Sequence, residues 1–107
     1  MTSFQDRERA EEAKFAHDAE MAFRIQARRN RLLGQWAAER MKLSPAESEA
    51  YAKAVVQADF EESGDEDVIR KLLGDITSAG VEVSEIEVRA ALESKQIEAR
   101  RALIGEA

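Results

Sequence analysis

Turn signals divide this chain of 107 residues into four helical segments of very unequal length, and that inequality limits what it can fold into. The clearest signal is Leu43-Ser44-Pro45-Ala46-Glu47. Ser44 suits the cap, Pro45 the first helical position, and Glu47 can reach back to the cap amide to close a capping box. Ser84-Glu85-Ile86-Glu87 repeats the box without the proline. Gly64 can take the left-handed conformation that ends a helix, with Asp65 capping the next, and Gly80 does the same before Val81 and Glu82. Helices are expected over residues 6–41, 45–62, 66–78 and 85–104.

Apolar spacing supports each segment. Val68, Ile69, Leu72, Leu73 and Ile76 share one stripe of the third helix. Tyr51, Ala54, Val55 and Ala58 fall together on the second. The first has Ile25, Leu32, Leu33, Trp36 and Ala37 in its C-terminal half, where Trp36 reads as a core anchor. For the fourth, Ile86, Ala90 and Ile97 define one candidate buried face, with Val88, Ala91, Leu92 and Leu103 alongside. No segment alternates with the period of two that a strand requires. The expectation is an all-α four-helix bundle.

At 1.5 Å per residue the first helix spans roughly 54 Å and the others roughly 20–30 Å. A bundle cannot cover it all, so its N-terminal part should project or be disordered. Residues 1–18 are assigned to a mobile arm continuous with the first helix, and residues 19–107 to the bundle. The arm is also the least apolar stretch: Arg7, Glu8, Arg9, Glu11, Glu12 and Lys14 crowd together, and Phe4 and Phe15 are its only large apolar groups. Such a segment has little to bury at home. It fits ordering on a partner and equally a solvated, frayed terminus.

Charge and composition exclude several functions. With 16 Lys+Arg against 22 Asp+Glu the net charge is -6, which argues against nucleic-acid binding. Residues 1–42 carry 9 basic and 7 acidic side chains, net +2, while residues 43–107 carry 7 and 15, net -8. An anionic partner should therefore meet the N-terminal third. The absence of cysteine removes disulfides, thiolate zinc sites and a thiol nucleophile, and fits a reducing compartment. No apolar run reaches the roughly 20 residues of a membrane span, and the N-terminus is polar where a secretory signal would be basic and then apolar. A cytoplasmic protein without direct membrane insertion is expected.

No stretch reads as an active site. Residues 59–67 superficially resemble a calcium loop, but its twelfth position, which needs a bidentate carboxylate, is Arg70, and cap chemistry accounts for the same letters. His17 is the only histidine and has no partner for a metal or a nucleophile. No metal site, catalytic residue or required cofactor is expected, and a binding protein is favoured over an enzyme. The basic cluster offers more. Arg24, Arg28 and Arg31 share a helical face, with Arg29 turned away. That face could grip phosphates or carboxylates, or be a solvated face with local pairs such as Glu20 with Arg24.

Several blocks carry a resemblance. The run from Phe4 through Asp18, Phe4-Gln5-Asp6-Arg7-Glu8-Arg9-Ala10-Glu11-Glu12-Ala13-Lys14-Phe15-Ala16-His17-Asp18, continues into Ala19-Glu20-Met21. With Ala27-Arg28-Arg29-Asn30-Arg31-Leu32-Leu33-Gly34-Gln35-Trp36-Ala37-Ala38 it resembles the zeta subunit of the alphaproteobacterial ATP synthase. Tyr51-Ala52-Lys53, Ala58-Asp59-Phe60-Glu61-Glu62 and Gly64 followed by Glu66-Asp67-Val68 continue the match in the same order. The resemblance implies a four-helix regulator, peripheral to the membrane through the rotary enzyme. Its N-terminal segment would enter a catalytic interface of the head, built from alpha, beta and gamma subunits, and block ATP hydrolysis. Phe4 and Phe15 would be apolar anchors there, and Arg7, Arg9 and Lys14 would meet acidic groups. The resemblance also implies ADP or ATP as a regulatory ligand of the bundle; it assigns no contacts, and the arginine face of Arg24, Arg28 and Arg31 is the candidate read from the residues themselves. The alternative function is thus an adenine-nucleotide-binding bundle with weak or no inhibitory activity.

Overall fold

The computed structural model describes the backbone of residues 3–62 and 64–106 and the side chains of residues 17–62 and 64–105. Four helices account for nearly all of it: α1 (Ser3–Arg40), α2 (Pro45–Glu61), α3 (Asp65–Ser78) and α4 (Glu85–Glu106), with no strand among the described residues. The turns obey the punctuation of the sequence. Ser44 Oγ accepts the Glu47 amide at 3.2 Å, and the Glu47 carboxylate accepts the Ser44 amide at 2.9 Å. This holds the Glu47 carboxyl below its usual range. Ser84 and Glu87 form the same reciprocal pair at 3.2 and 3.3 Å. Gly80, at φ 80, ends α3, where the Val81 amide reaches back to the Ile76 carbonyl. Lys42 takes the equivalent left-handed position after α1, at φ 59, and the Leu43 amide bonds the Ala38 carbonyl.

The second turn departs from expectation. Gly64, at φ 146, is itself the cap of α3, and Asp65 is the first helical residue, without a side-chain capping bond. Its carboxylate is taken instead by a guanidinium from α1. Three acidic residues in the first turn of α3 still meet the positive end of the helix dipole.

The core is one cluster: Leu33 and Ala37 from α1, Val55 from α2, Val68, Ile69, Leu72 and Ile76 from α3, and Val88 and Ala91 from α4. Trp36 packs against it from the edge, half-buried, with the Arg40 guanidinium 5.0 Å from its ring centre. Two stripes need correction. On α2 the buried positions are Ala52, Val55 and Asp59, while Ala54 is exposed. The helix lies so close to α1 that a Cβ on Gly34 would stand 2.7 Å from Ala52 Cα, and this fixes which side faces inward. On α4 the buried face runs through Val88, Ala91 and Ala99, whereas Ile86 is 79% exposed and Ala90 and Ile97 face water. Both stripes have helical spacing, so periodicity could not choose between them.

Helix α1 has 38 residues, about 57 Å at 1.5 Å per residue, in a molecule whose extents are 67 × 24 × 21 Å. Residues 17–20 are exposed, and the first fully buried side chain among the described residues is Arg29. The bundle therefore packs on the C-terminal half of α1, and the N-terminal half extends beyond it.

Candidate functional site

Two regions of α1 carry the candidate residues. The first is the extension. Phe4, Arg7, Arg9, Lys14 and Phe15 lie outside the residues whose side chains are described, on the helical backbone of α1. His17 is described and exposed.

The second region is the arginine face. Arg24 donates to Glu20 at 2.7 Å, one turn earlier on the same helix. Arg31 donates to both carboxylate oxygens of Glu49 on α2, at 3.0 and 3.2 Å. Both pairs are largely in water, where such contacts contribute little. Arg28 and Arg31 line an open cleft of about 840 Å³ between α1, α2 and α4, together with Lys53, Gln35, Gln57 and Glu98. Leu32, Ala52 and Val56 form its apolar wall. Arg24 does not reach it. Lys53 and the two glutamines were not singled out in the sequence, because they stand on exposed positions that look like any solvated face.

Arg29 is the larger surprise. It is 2% exposed and sits at the base of the α1 extension. Its Nη1 donates to Asp65 Oδ1 at 2.7 Å, and its Nη2 and Nε donate to Asn30 Oδ1 at 2.7 and 3.1 Å. Asn30 in turn donates to Asp59 Oδ2 at 2.7 Å, as does Gln26 at 3.0 Å, and the Arg29 Nη2 stands 3.9 Å from the same oxygen. One buried cation thus ties α1 to the end of α2 and the start of α3. Its spacing was the available signal: Arg29, Leu33 and Ala37 are four residues apart, so a cation turned away from the other arginines is turned into the core. This geometry gives the carboxylates of residues 59–67 other partners. Asp59 lies inside α2, Asp59 and Asp65 both face Arg29, and Asp67 pairs with Arg70 at 3.1 Å. Among the described residues no group of carboxylates and histidines is arranged to hold a metal ion.

Elsewhere polar contacts fasten the bundle. Tyr51 donates its hydroxyl to Asp75 at 2.7 Å, with Lys71 on the same oxygen at 3.1 Å. Burial first, and the neighbouring Asp75 second, push the phenol well above its ordinary range. Arg89 clasps Glu66 through two bonds of 2.9 and 2.7 Å, which lowers that carboxyl. Arg40 does the same to Glu87 at 2.9 Å.

A four-helix bundle on half of a long first helix, with its other half extended, is the architecture that the turn signals and helix lengths predict, and four helices are also what the resemblance implies. A sequence model of the family ATPase inhibitor subunit zeta matches residues 1–102. The chain belongs to that family. A solution NMR structure of a protein 47% identical in sequence superimposes with a TM-score of 0.70, covering 81% of this chain and 99% of its own. No curated protein matches the chain. The zeta family associates this chain with the ATP synthase in an inhibitory or regulatory role. No described helix is long and apolar enough to cross a membrane, which fits a peripheral place on that enzyme.

Proposed function

We propose that this protein binds the catalytic head of the F-type ATP synthase and inhibits ATP hydrolysis by inserting its N-terminal segment into a catalytic interface. It acts by occupying that interface and carries out no reaction of its own. The observation that carries the reading is the mismatch between α1 and its bundle. A 38-residue helix has its first fully buried described side chain at Arg29, and residues 17–20 are exposed, so the helix runs past the bundle and offers a partner surface to cover. Phe4 and Phe15 supply the apolar anchors there, and Arg7, Arg9 and Lys14 meet acidic groups, since a few anchors dominate most interfaces. Residues 1–18 are the inhibitory arm in this reading, and residues 19–107 the body that stays outside.

The test is ATP hydrolysis by the isolated catalytic head of a related ATP synthase. It is titrated with the full-length protein and with a variant lacking residues 1–17. Inhibition should disappear with the arm while far-ultraviolet circular dichroism shows the remaining helices intact. Equal activity of the two proteins, both folded, would refute the insertion reading.

A second reading is favoured by the cleft between α1, α2 and α4. Its volume of about 840 Å³ falls in the usual range for small-molecule sites, and Arg28, Arg31 and Lys53 put cations on its rim. An ADP or ATP bound there would place its phosphates on those side chains. Amide shifts of Arg31 and Lys53 on titration with ADP would report it. Trp36, which does not line the cleft, is the poorer reporter. Shifts no larger than those produced by sodium chloride would dismiss the site.

A further inference from the structure

Where α1 leaves the bundle, a small pocket of about 230 Å³ lies between α1 and the last turn of α2, lined by Phe23, Gln26, Asn30, Val56, Asp59 and Phe60. Its two rings meet edge to face, 6.3 Å between centres, and yet are 59% and 68% exposed. Its carboxylate is the opposite: Asp59 is only 8% exposed. Asp59 Oδ2 accepts from Gln26 and Asn30, but Oδ1 is buried without any hydrogen-bond partner among the described residues. A buried acceptor left unmade is costly, and each one requires a reason.

The charge balance around it is negative. Arg29 is one cation facing two carboxylates, Asp59 and Asp65, so the cluster keeps a surplus negative charge. The last turn of α2 carries no basic residue to offset the negative end of its dipole, and Glu61 and Glu62 beside it are exposed. Two aromatic rings and an unsatisfied carboxylate lining one pocket, at a negative helix end, make a receptor for a cationic side chain.

We propose that this pocket receives a lysine or arginine side chain of the partner protein, at the root of the arm. The proposal rests on the inhibitory reading for the partner's identity, and it adds a second contact, made by the body, to the one made by the arm. The cation would stack on Phe23 and Phe60 and donate to Asp59 Oδ1 as Phe60, most of whose surface is in water, turns aside.

Two measurements on the full-length protein test it. The first is an NMR titration with butylammonium chloride, set against sodium chloride at equal ionic strength. Saturable shifts of the Phe23 and Phe60 rings and the Asn30 side-chain amide are expected with butylammonium alone, and should be lost in Phe60→Ala. Identical shifts with both salts, or a water held at Asp59 Oδ1 throughout, would overturn the proposal. The second is binding to the isolated catalytic head. Phe23→Ala and Phe60→Ala should weaken affinity about tenfold while saturating protein still inhibits fully, because the arm is untouched. A Phe60→Ala protein that binds and inhibits like the wild type would also overturn it. If the wild type neither binds nor inhibits the head, the inhibitory reading fails by itself, and the butylammonium titration alone decides the pocket.

Discussion

Two glycines inside helices make a paired experiment, because alanine should act on them in opposite directions. Replacing glycine by alanine in a helix interior gains about 1 kcal/mol of propensity. At Gly74 nothing lies within 4 Å of the added Cβ, so that gain stands alone. At Gly34 the Cβ would meet Ala52 Cα at 2.7 Å, Val55 Cγ2 at 3.2 Å and Ala52 Cβ at 3.4 Å. Carbon atoms pack at about 3.5–4.0 Å, so α1 and α2 must separate by about 1 Å. The closest obstacle is backbone, which cannot turn away as a side chain would. Separation loosens the contacts of Leu33, Ala37 and Val55, all 0% exposed, and a gap of that size forfeits about a quarter to a half of each contact's dispersion energy. Overpacking of this kind costs about 1–3 kcal/mol, and a rigid obstacle puts Gly34 toward the upper end. After the propensity gain, Gly34→Ala should lose about 1–2 kcal/mol, lowering Tm by about 4–16 °C in a domain of this size. Gly74→Ala should raise Tm by about 4–8 °C. Thermal melts followed by circular dichroism read both. A Gly34→Ala protein more stable than the wild type would mean that the two helices do not approach as closely as described.

Other positions give equally directed expectations. Arg29→Ala removes the cation from a buried cluster and should cost about 3–5 kcal/mol, read as a lowered urea midpoint; a loss under about 1 kcal/mol would place Arg29 in solvent. The raised pKa of the Tyr51 phenol means that its contribution is complete below its ordinary value of 10.0 and declines as pH rises beyond it, because the unfolded chain ionises first. Tyr51→Phe should therefore cost about 1 kcal/mol at neutral pH and flatten the alkaline fall of Tm, and an unchanged alkaline limb would contradict the buried hydroxyl. On α4, Ile86→Gln should stay within about 0.5 kcal/mol of the wild type while Val88→Ala loses about 2 kcal/mol. The reverse order in chemical denaturation would restore the other face of the helix to the core.

The four helices were legible because their ends are chemical. Ser44 with Glu47, Ser84 with Glu87, and Gly80 at φ 80 each act within a few residues, so sequence neighbours suffice to find them. The α3 stripe was legible for a related reason: its apolar residues fall on one side only. The face of α4 was not. Ile86, Ala90 and Ile97 are as apolar as Val88, Ala91 and Ala99, and the choice depends on where α1 and α3 lie, which local spacing does not contain. On α2 the deciding fact was the near contact of Gly34 with Ala52, a match between two small residues 18 positions apart in the chain. Asp65 was misplaced in the same way. Locally it is a good cap, but a buried guanidinium reaching from α1 is the stronger claimant on its carboxylate.

That guanidinium also shows why the candidate site was only half visible. The arm could be inferred from length and composition, since an uncovered helix is a property of the whole segment. The cluster at its root joins Gln26, Arg29 and Asn30 to Asp59 and Asp65, and no single stretch of sequence displays it. Its position is what makes it informative. Replacing a buried ion pair by apolar groups often leaves a fold no less stable, so stability alone is a weak reason for this one. Apolar stripes tolerate a small rotation of one helix on another, whereas Arg29 must meet Asn30 and Asp65 in fixed directions. The cluster therefore sets the rotation of α1 where it departs from α2 and α3. Because α1 is both a core helix and the arm, the same bonds that seat it in the bundle determine which side of the extension faces a partner.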